Sequence, residues 1–173
     1  TRSLLFRLTS PENKGMKLDD LFIVPCIPMK VNQQVEMTSS VYPVMVRIPC
    51  NPVLSLNVRT DGCLNPQFLT AVNLDFTGTT KLSDIASVTV IRGEEEPLIH
   101  HGEELFPKDS SQVLGTVKLA GSARPQISVK GNMELEPGDN YLWACVTMKE
   151  GASLDGRVVV RPASVVAGNK LVK

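Results

Sequence analysis

The sequence predicts an all-β protein, a β-sandwich built from short antiparallel strands. Three observations predict it. Apolar and polar residues alternate with period two in run after run, the mark of strands with one buried face. Turn-forming residues punctuate those runs at roughly the 8–12-residue spacing of sandwiches and barrels. No apolar stripe repeats at the 3.6-residue helical period, and the 12 prolines suit edge strands and turns better than helix interiors.

The alternation begins at Leu4, Phe6 and Leu8. From Pro43 to Ile48, Val44, Val46 and Ile48 oppose Met45 and Arg47, which predicts a strand with Arg47 pointing outward. From Val53 to Arg59, Leu54, Leu56 and Val58 oppose Ser55, Asn57 and Arg59. From Leu69 to Gly78, Val72, Leu74 and Phe76 oppose Asn73, Asp75 and Thr77. Shorter runs follow at Val88-Val90, Val117-Leu119, Ile127-Val129 and Val158-Val160. The expected turns include Asp61-Gly62, Gly78, Gly93, Gly121, Gly131-Asn132, Pro137 to Asn140, Gly151, Gly156 and Gly168-Asn169. Two segments, Pro11 to Lys17 and Gly93 to Asp109, are polar enough to be exposed loops, the second long for a compact domain. Leu4–Ile23 and Leu54–Phe76 both read as strand, polar loop, strand.

Tyr141 to Lys149 has two readable faces. Leu142, Ala144, Val146 and Met148 form an apolar face that belongs in the core, because side chains alternate across a strand. Tyr141, Trp143, Cys145, Thr147 and Lys149 form the other face. Aromatic rings there have two uses. One is a flat platform for the apolar face of a sugar, which would make Trp143 and Tyr141, with Lys149 as polar neighbour, the candidate carbohydrate site. The other is structural, with the rings covered by loops or by a neighbouring domain. The discriminating observation is whether the rings lie open beside polar groups or under protein.

Composition excludes several classes. The 173 residues suffice for one well-filled domain. Hydrophobic residues make up 42% and charged residues 21%, an ordinary globular balance. Lys plus Arg equals Asp plus Glu at 18 each, and no dense basic run occurs, so no field draws nucleic acid or an anionic membrane. No apolar stretch of about 20 residues is present to span a bilayer. The opening Thr-Arg-Ser, without Met or signal peptide, reads as a processed piece of something longer. Cys26, Cys50, Cys63 and Cys145 allow three pairings, and buried free thiols suit the pattern as well as a disulfide does. No two cysteines stand at a CxxC spacing and only two histidines exist, so no structural metal site is expected.

No catalytic machinery is legible. His100 and His101 sit in a glutamate-rich loop with no nucleophile elbow nearby. Glu94 to Glu96 and Glu103-Glu104 supply carboxylates, but clustered loop acids read as a solvated face rather than a glycosidase pair. Neither GxxxxGK[ST] nor GxGxxG occurs, and no cofactor is expected.

Three segments carry a family resemblance. Gly78 to Val90, Leu135 to Trp143 and Met148 to Asp155, in that order, resemble the domain that precedes the BNR-repeat catalytic propeller in Bacteroidetes sialidases. The close from Val165 to Lys173 is similar to that domain's final strand and exit turn. The resemblance spans about residues 42–173 and leaves 1–37 as unassigned N-terminal strands or the tail of a preceding domain. It implies one jelly-roll-like sandwich, similar to carbohydrate-binding modules, over 1–173. It further implies a non-catalytic accessory module of a secreted, periplasmic or cell-surface exo-α-sialidase. Its partners would be sialylated or other glycans and the C-terminal propeller of the same polypeptide. The alternative is a structural module that packs on or spaces that propeller without binding sugar. The propeller itself lies elsewhere, since no Ser-x-Asp-x-Gly-x-Thr-Trp box occurs. Val46-Arg47-Ile48-Pro49 is similar to the Arg-Ile-Pro motif that opens a propeller, but no later propeller motif follows it.

Overall fold

The computed structural model describes residues 26–39, 43–93, 112–120, 124–168 and 170–172. They form two antiparallel sheets. One has five strands in the order β1-β2-β7-β4-β5, and the other has four in the order β6-β3-β8-β9. The strands are β1 (Lys30–Ser39), β2 (Asn51–Asp61), β3 (Phe68–Asp75), β4 (Ile85–Arg92), β5 (Val113–Lys118), β6 (Gln126–Glu134), β7 (Gly138–Met148), β8 (Arg161–Ala167) and β9 (Lys170–Val172). Most sheet neighbours are not consecutive in sequence, so the chain passes repeatedly between sheets, as in a jelly roll. A 3-10 turn at Leu82–Asp84 leads into β4. No helix among the described residues is long and apolar enough to cross a membrane.

The predicted alternation builds the core. Leu54, Leu56 and Val58 of β2, Val88 and Val90 of β4, and Leu142, Ala144 and Val146 of β7 face inward from the larger sheet. Val72 and Leu74 of β3 with Phe76 just beyond it, Ile127 and Val129 of β6, and Val165 and Ala167 of β8 meet them from the smaller sheet. Burying one Val, Leu or Phe side chain contributes about 1.5–3 kcal/mol, so this shared inner layer is the main stabilising term. Residues 30–39, which the sequence left unassigned in part, form the edge strand that pairs with β2.

Three expectations are corrected. Gly131-Asn132 is not a turn; both residues lie inside β6. There β5 crosses β6 so closely that a Cβ on Gly131 would overlap the Leu114 carbonyl oxygen, and one on Gly115 would overlap that of Lys130. These glycines are close-approach residues, one of the known uses of glycine within a strand. Pro43 to Ile48 is not a strand despite its alternation. Arg47 takes a φ of 69°, which breaks extended geometry, though its side chain is exposed as expected. The buried Asn51 side chain replaces the ladder: its Oδ1 accepts from Met45 N (2.7 Å), and its Nδ2 donates to Met45 O (3.0 Å) and Val146 O (3.1 Å). Val158 to Val160 is likewise no strand, because Val159 bonds to the Thr79 hydroxyl through both its N–H and its carbonyl (3.0 Å each). The expected strand at Leu4 to Leu8, the loops Pro11–Lys17 and 94–109, and the turn at Gly121 lie outside the described residues.

Candidate functional site

β7 runs through the middle of the larger sheet, between β2 and β4. Its outer face carries the predicted site. Trp143 lies level with Ser55 of β2 and Ile91 of β4, and Tyr141 lies level with Asn57. Cys145 lies beside Pro52 and Thr89.

Trp143 is under protein, only 7% exposed. It shares a second, outer-face cluster with Ile91, Cys50 and Cys145, and Val113 packs against it. Cys50 and Cys145 form a disulfide with a Cα–Cα distance of 5.0 Å. Over the ring passes Gly93, whose N–H donates to Tyr141 O (3.0 Å) and whose missing Cβ would stand 2.8 Å from Trp143 Cδ1. Tyr141 is half-buried. Beside it Asn57 Nδ2 donates to Asp139 Oδ1 (3.1 Å), while the buried Asn57 Oδ1 accepts no bond from the described residues. Lys149 stands beyond the far end of β7, exposed, six residues from Trp143. Six strand residues span about 20 Å. The structure thus brings Tyr141 and Trp143 together and leaves Lys149 apart.

Two of the sequence segments singled out above meet in space, and the third is tied into a turn. Asp84, in the first segment, accepts from Lys149 N at its carbonyl (2.8 Å) and from Ser153 N at Oδ2 (2.9 Å). Thr80 Oγ1 accepts from Arg157 N (3.2 Å), and Thr80 N donates to Arg157 O (3.0 Å). With the two bonds from Thr79, these contacts hold the loop 149–160 against 79–84. In the turn between β6 and β7, buried Asn140 binds backbone on every side. Its Nδ2 donates to Val58 O (3.1 Å), Glu136 O (2.9 Å) and Gly138 O (3.2 Å), and its Oδ1 accepts from Glu136 N (2.8 Å). Arg92 Nη1 bonds Glu136 Oε1 (2.6 Å), tying β4 to the same turn.

The cysteines pair as Cys26–Cys63 and Cys50–Cys145, the first exposed and the second buried. Asn51, Asn140 and Asp84 are linchpins that pattern reading missed; a lone Asn or Asp among strands carries no sequence signal of what its side chain caps. His100, His101 and the glutamates at 94–96 and 103–104 lie outside the described residues. Among the described residues no group of three or more His, Cys, Asp or Glu is placed to hold a metal ion.

The comparisons with known proteins fit this geometry. Residues 32–171 match the family model described as the N-terminal domain of BNR-repeat neuraminidase. The chain belongs to that family. The match starts inside β1, so it takes in the edge strand as well as the segments after residue 42. A sialidase of Bacteroides fragilis (strain YCH46) is 30% identical over 118 residues, covering 60% of this chain and 22% of the relative. The solved Hadza microbial sialidase Hz136 aligns with a TM-score of 0.60 at 18% identity, over 79% of this chain and 29% of that one. At that identity the likeness shows the fold alone. The chain spans under a third of either relative's length. As the N-terminal domain associated with neuraminidases, it is an accessory domain rather than the BNR-repeat portion.

Proposed function

We propose that this chain braces the catalytic portion of an exo-α-sialidase in the bacterial periplasm or outside the cell. One observation carries the reading. The only tryptophan, the best sugar platform the sequence offers, is sealed beneath Gly93 and beside a disulfide. It stabilises the outer layer instead of presenting a flat ring to ligand. Two disulfides support an oxidising compartment, where such bonds persist.

A second reading, glycan binding, rests on a different feature of the same face. Half-buried Tyr141 stands beside Asn57, whose Oδ1 has no donor among the described residues, and exposed Asp139 and Arg59 flank them. A module that tethers glycan raises local substrate concentration and needs only weak binding.

One experiment separates the two. Hydrolysis of a small soluble sialoside and of a sialylated polymer is measured for the full polypeptide with and without residues 32–171. Bracing predicts that both rates and the thermal midpoint fall together. Glycan presentation predicts a loss confined to the polymer. Unchanged rates and midpoint would sink both readings.

A further inference from the structure

A lone exposed leucine is ordinary on a protein surface. Leu154 differs in two respects. At 89% exposure it is the most open large apolar side chain among the described residues; the next, Ile27, is 51% exposed. It also stands on a loop that is not free to fold it away. Ser153 N is held by Asp84 Oδ2, Gly156 N by Ser153 O (3.3 Å), and Arg157 N by Thr80 Oγ1. The loop's ordering entropy is therefore already spent in the folded module, the condition that favours tight docking. The same loop carries exposed charges of both signs on either side of the leucine in sequence: Lys149, Glu150, Asp155 and Arg157. An apolar centre with a polar rim is the general layout of a protein–protein interface.

We infer that the loop 149–157, with Leu154 as its anchor, is the surface by which this module docks on the catalytic portion of its own polypeptide, in an apolar pocket rimmed by charge. The inference rests on the bracing reading and names its contact. The occupant follows from length. The sandwich covers 29% of the solved sialidase it resembles and 22% of the Bacteroides fragilis relative, so most of such a polypeptide lies outside it. Docking also gives a use to the hydrogen bonds that Thr79, Thr80 and the Asp84 carboxylate make to the loop 153–159, which lie outside the strand pairs.

Hydroxyl-radical footprinting of the full-length polypeptide tests this, because it reads side-chain exposure residue by residue. The reporters are Leu154, Ile27, Met45, Leu64 and Phe68, the exposed large apolar side chains among the described residues. After correction for intrinsic reactivity, docking at the loop makes Leu154 oxidise several-fold more slowly than Ile27 and Leu64, although it is the more exposed in the module. The variant Leu154→Asp then speeds oxidation of the partner's newly uncovered surface. Protection at Ile27, Leu64 or Met45 with Leu154 fully reactive would overturn the inference and leave bracing intact through another face. Reactivity of all five in proportion to their exposure would overturn both.

Discussion

The indole of Trp143 lies beneath the backbone of Gly93, so closely that a Cβ on the glycine would stand 2.8 Å from Trp143 Cδ1. Real Cβ atoms do not approach an atom that closely, and the indole is wedged against Ile91 and the Cys50–Cys145 pair. Gly93→Ala therefore forces the strand end or the ring to shift. Overpacking of this kind destabilises by roughly 1–3 kcal/mol. The expected outcome is a lower denaturation midpoint with a red-shifted Trp143 emission in the folded state. An unchanged emission maximum would show that the backbone does not cover the ring.

The two disulfides are expected to contribute unequally. They close stretches separated by 95 residues (Cys50–Cys145) and 37 residues (Cys26–Cys63). In the chain-entropy account the longer loop is worth about 0.8 kcal/mol more. The buried pair also packs with Trp143, whereas Cys26 and Cys63 are exposed. The double variant Cys50→Ala/Cys145→Ala should thus lose more stability in urea than Cys26→Ala/Cys63→Ala. Equal losses would contradict the assignment of Cys50–Cys145 as the structural clamp.

Asn140 shows how much of this fold hides from pattern reading. The alternation of Leu142, Ala144 and Val146 against Trp143 and Cys145 is written in the sequence, and the structure sorts those residues into two clusters on opposite faces of β7. Period two is a local property, so local reading finds it. Three of the four Asn140 bonds stay within the turn at Glu136 and Gly138, but the fourth reaches Val58, 82 residues away, and nothing local encodes that one. Cysteine pairing is non-local in the same sense. Alternation also misled at Pro43 to Ile48, where Asn51 satisfies the backbone that a neighbouring strand would otherwise pair. Gly131 read as a turn because glycine marks both turns and close crossings. Of the candidate site, the side of β7 on which Trp143 lies was legible, whereas the cover over that side depends on Gly93 and a disulfide, which alternation does not encode. Lys149 was grouped with the aromatic pair by parity alone, which ignores distance along the strand.

Removing the Asn140 amide is expected to be severe. Asn140→Ala leaves Glu136 N without its acceptor and Val58 O without this donor, while the Thr60 hydroxyl still serves the carbonyls of Glu136 and Gly138. Each buried group left unpaired costs about 1–3 kcal/mol. Asn140→Asp keeps the acceptor but sets a carboxylate against those carbonyls, so it is expected to destabilise at least as much at neutral pH and to recover partly in acid. Stability curves at pH 7 and pH 4 check this order.

The last prediction concerns acid. Asp75 ends β3, and its Oδ1 accepts from the Thr77 hydroxyl (2.6 Å) and the Thr77 N–H (2.9 Å). These bonds, the hydroxyl's first, hold the carboxyl below its ordinary value of 3.8, with a smaller push from the Arg161 charge. A carboxyl whose folded pKa is depressed stabilises the fold above its unfolded pKa, and that contribution disappears as pH falls through the folded pKa. The group is accessible to water, so the effect is modest. Asp75→Asn should therefore be less stable than the parent at pH 7, and the gap should narrow below pH 3.8. Thr77→Ala should reproduce the same pattern in part, since it removes the largest of the three lowering causes, the hydroxyl bond, and spares the Thr77 N–H bond and the charge on Arg161. If Thr77→Ala left the acid limb unchanged while Arg161→Gln flattened it, ion pairing and not the Asp75–Thr77 turn would control the carboxyl.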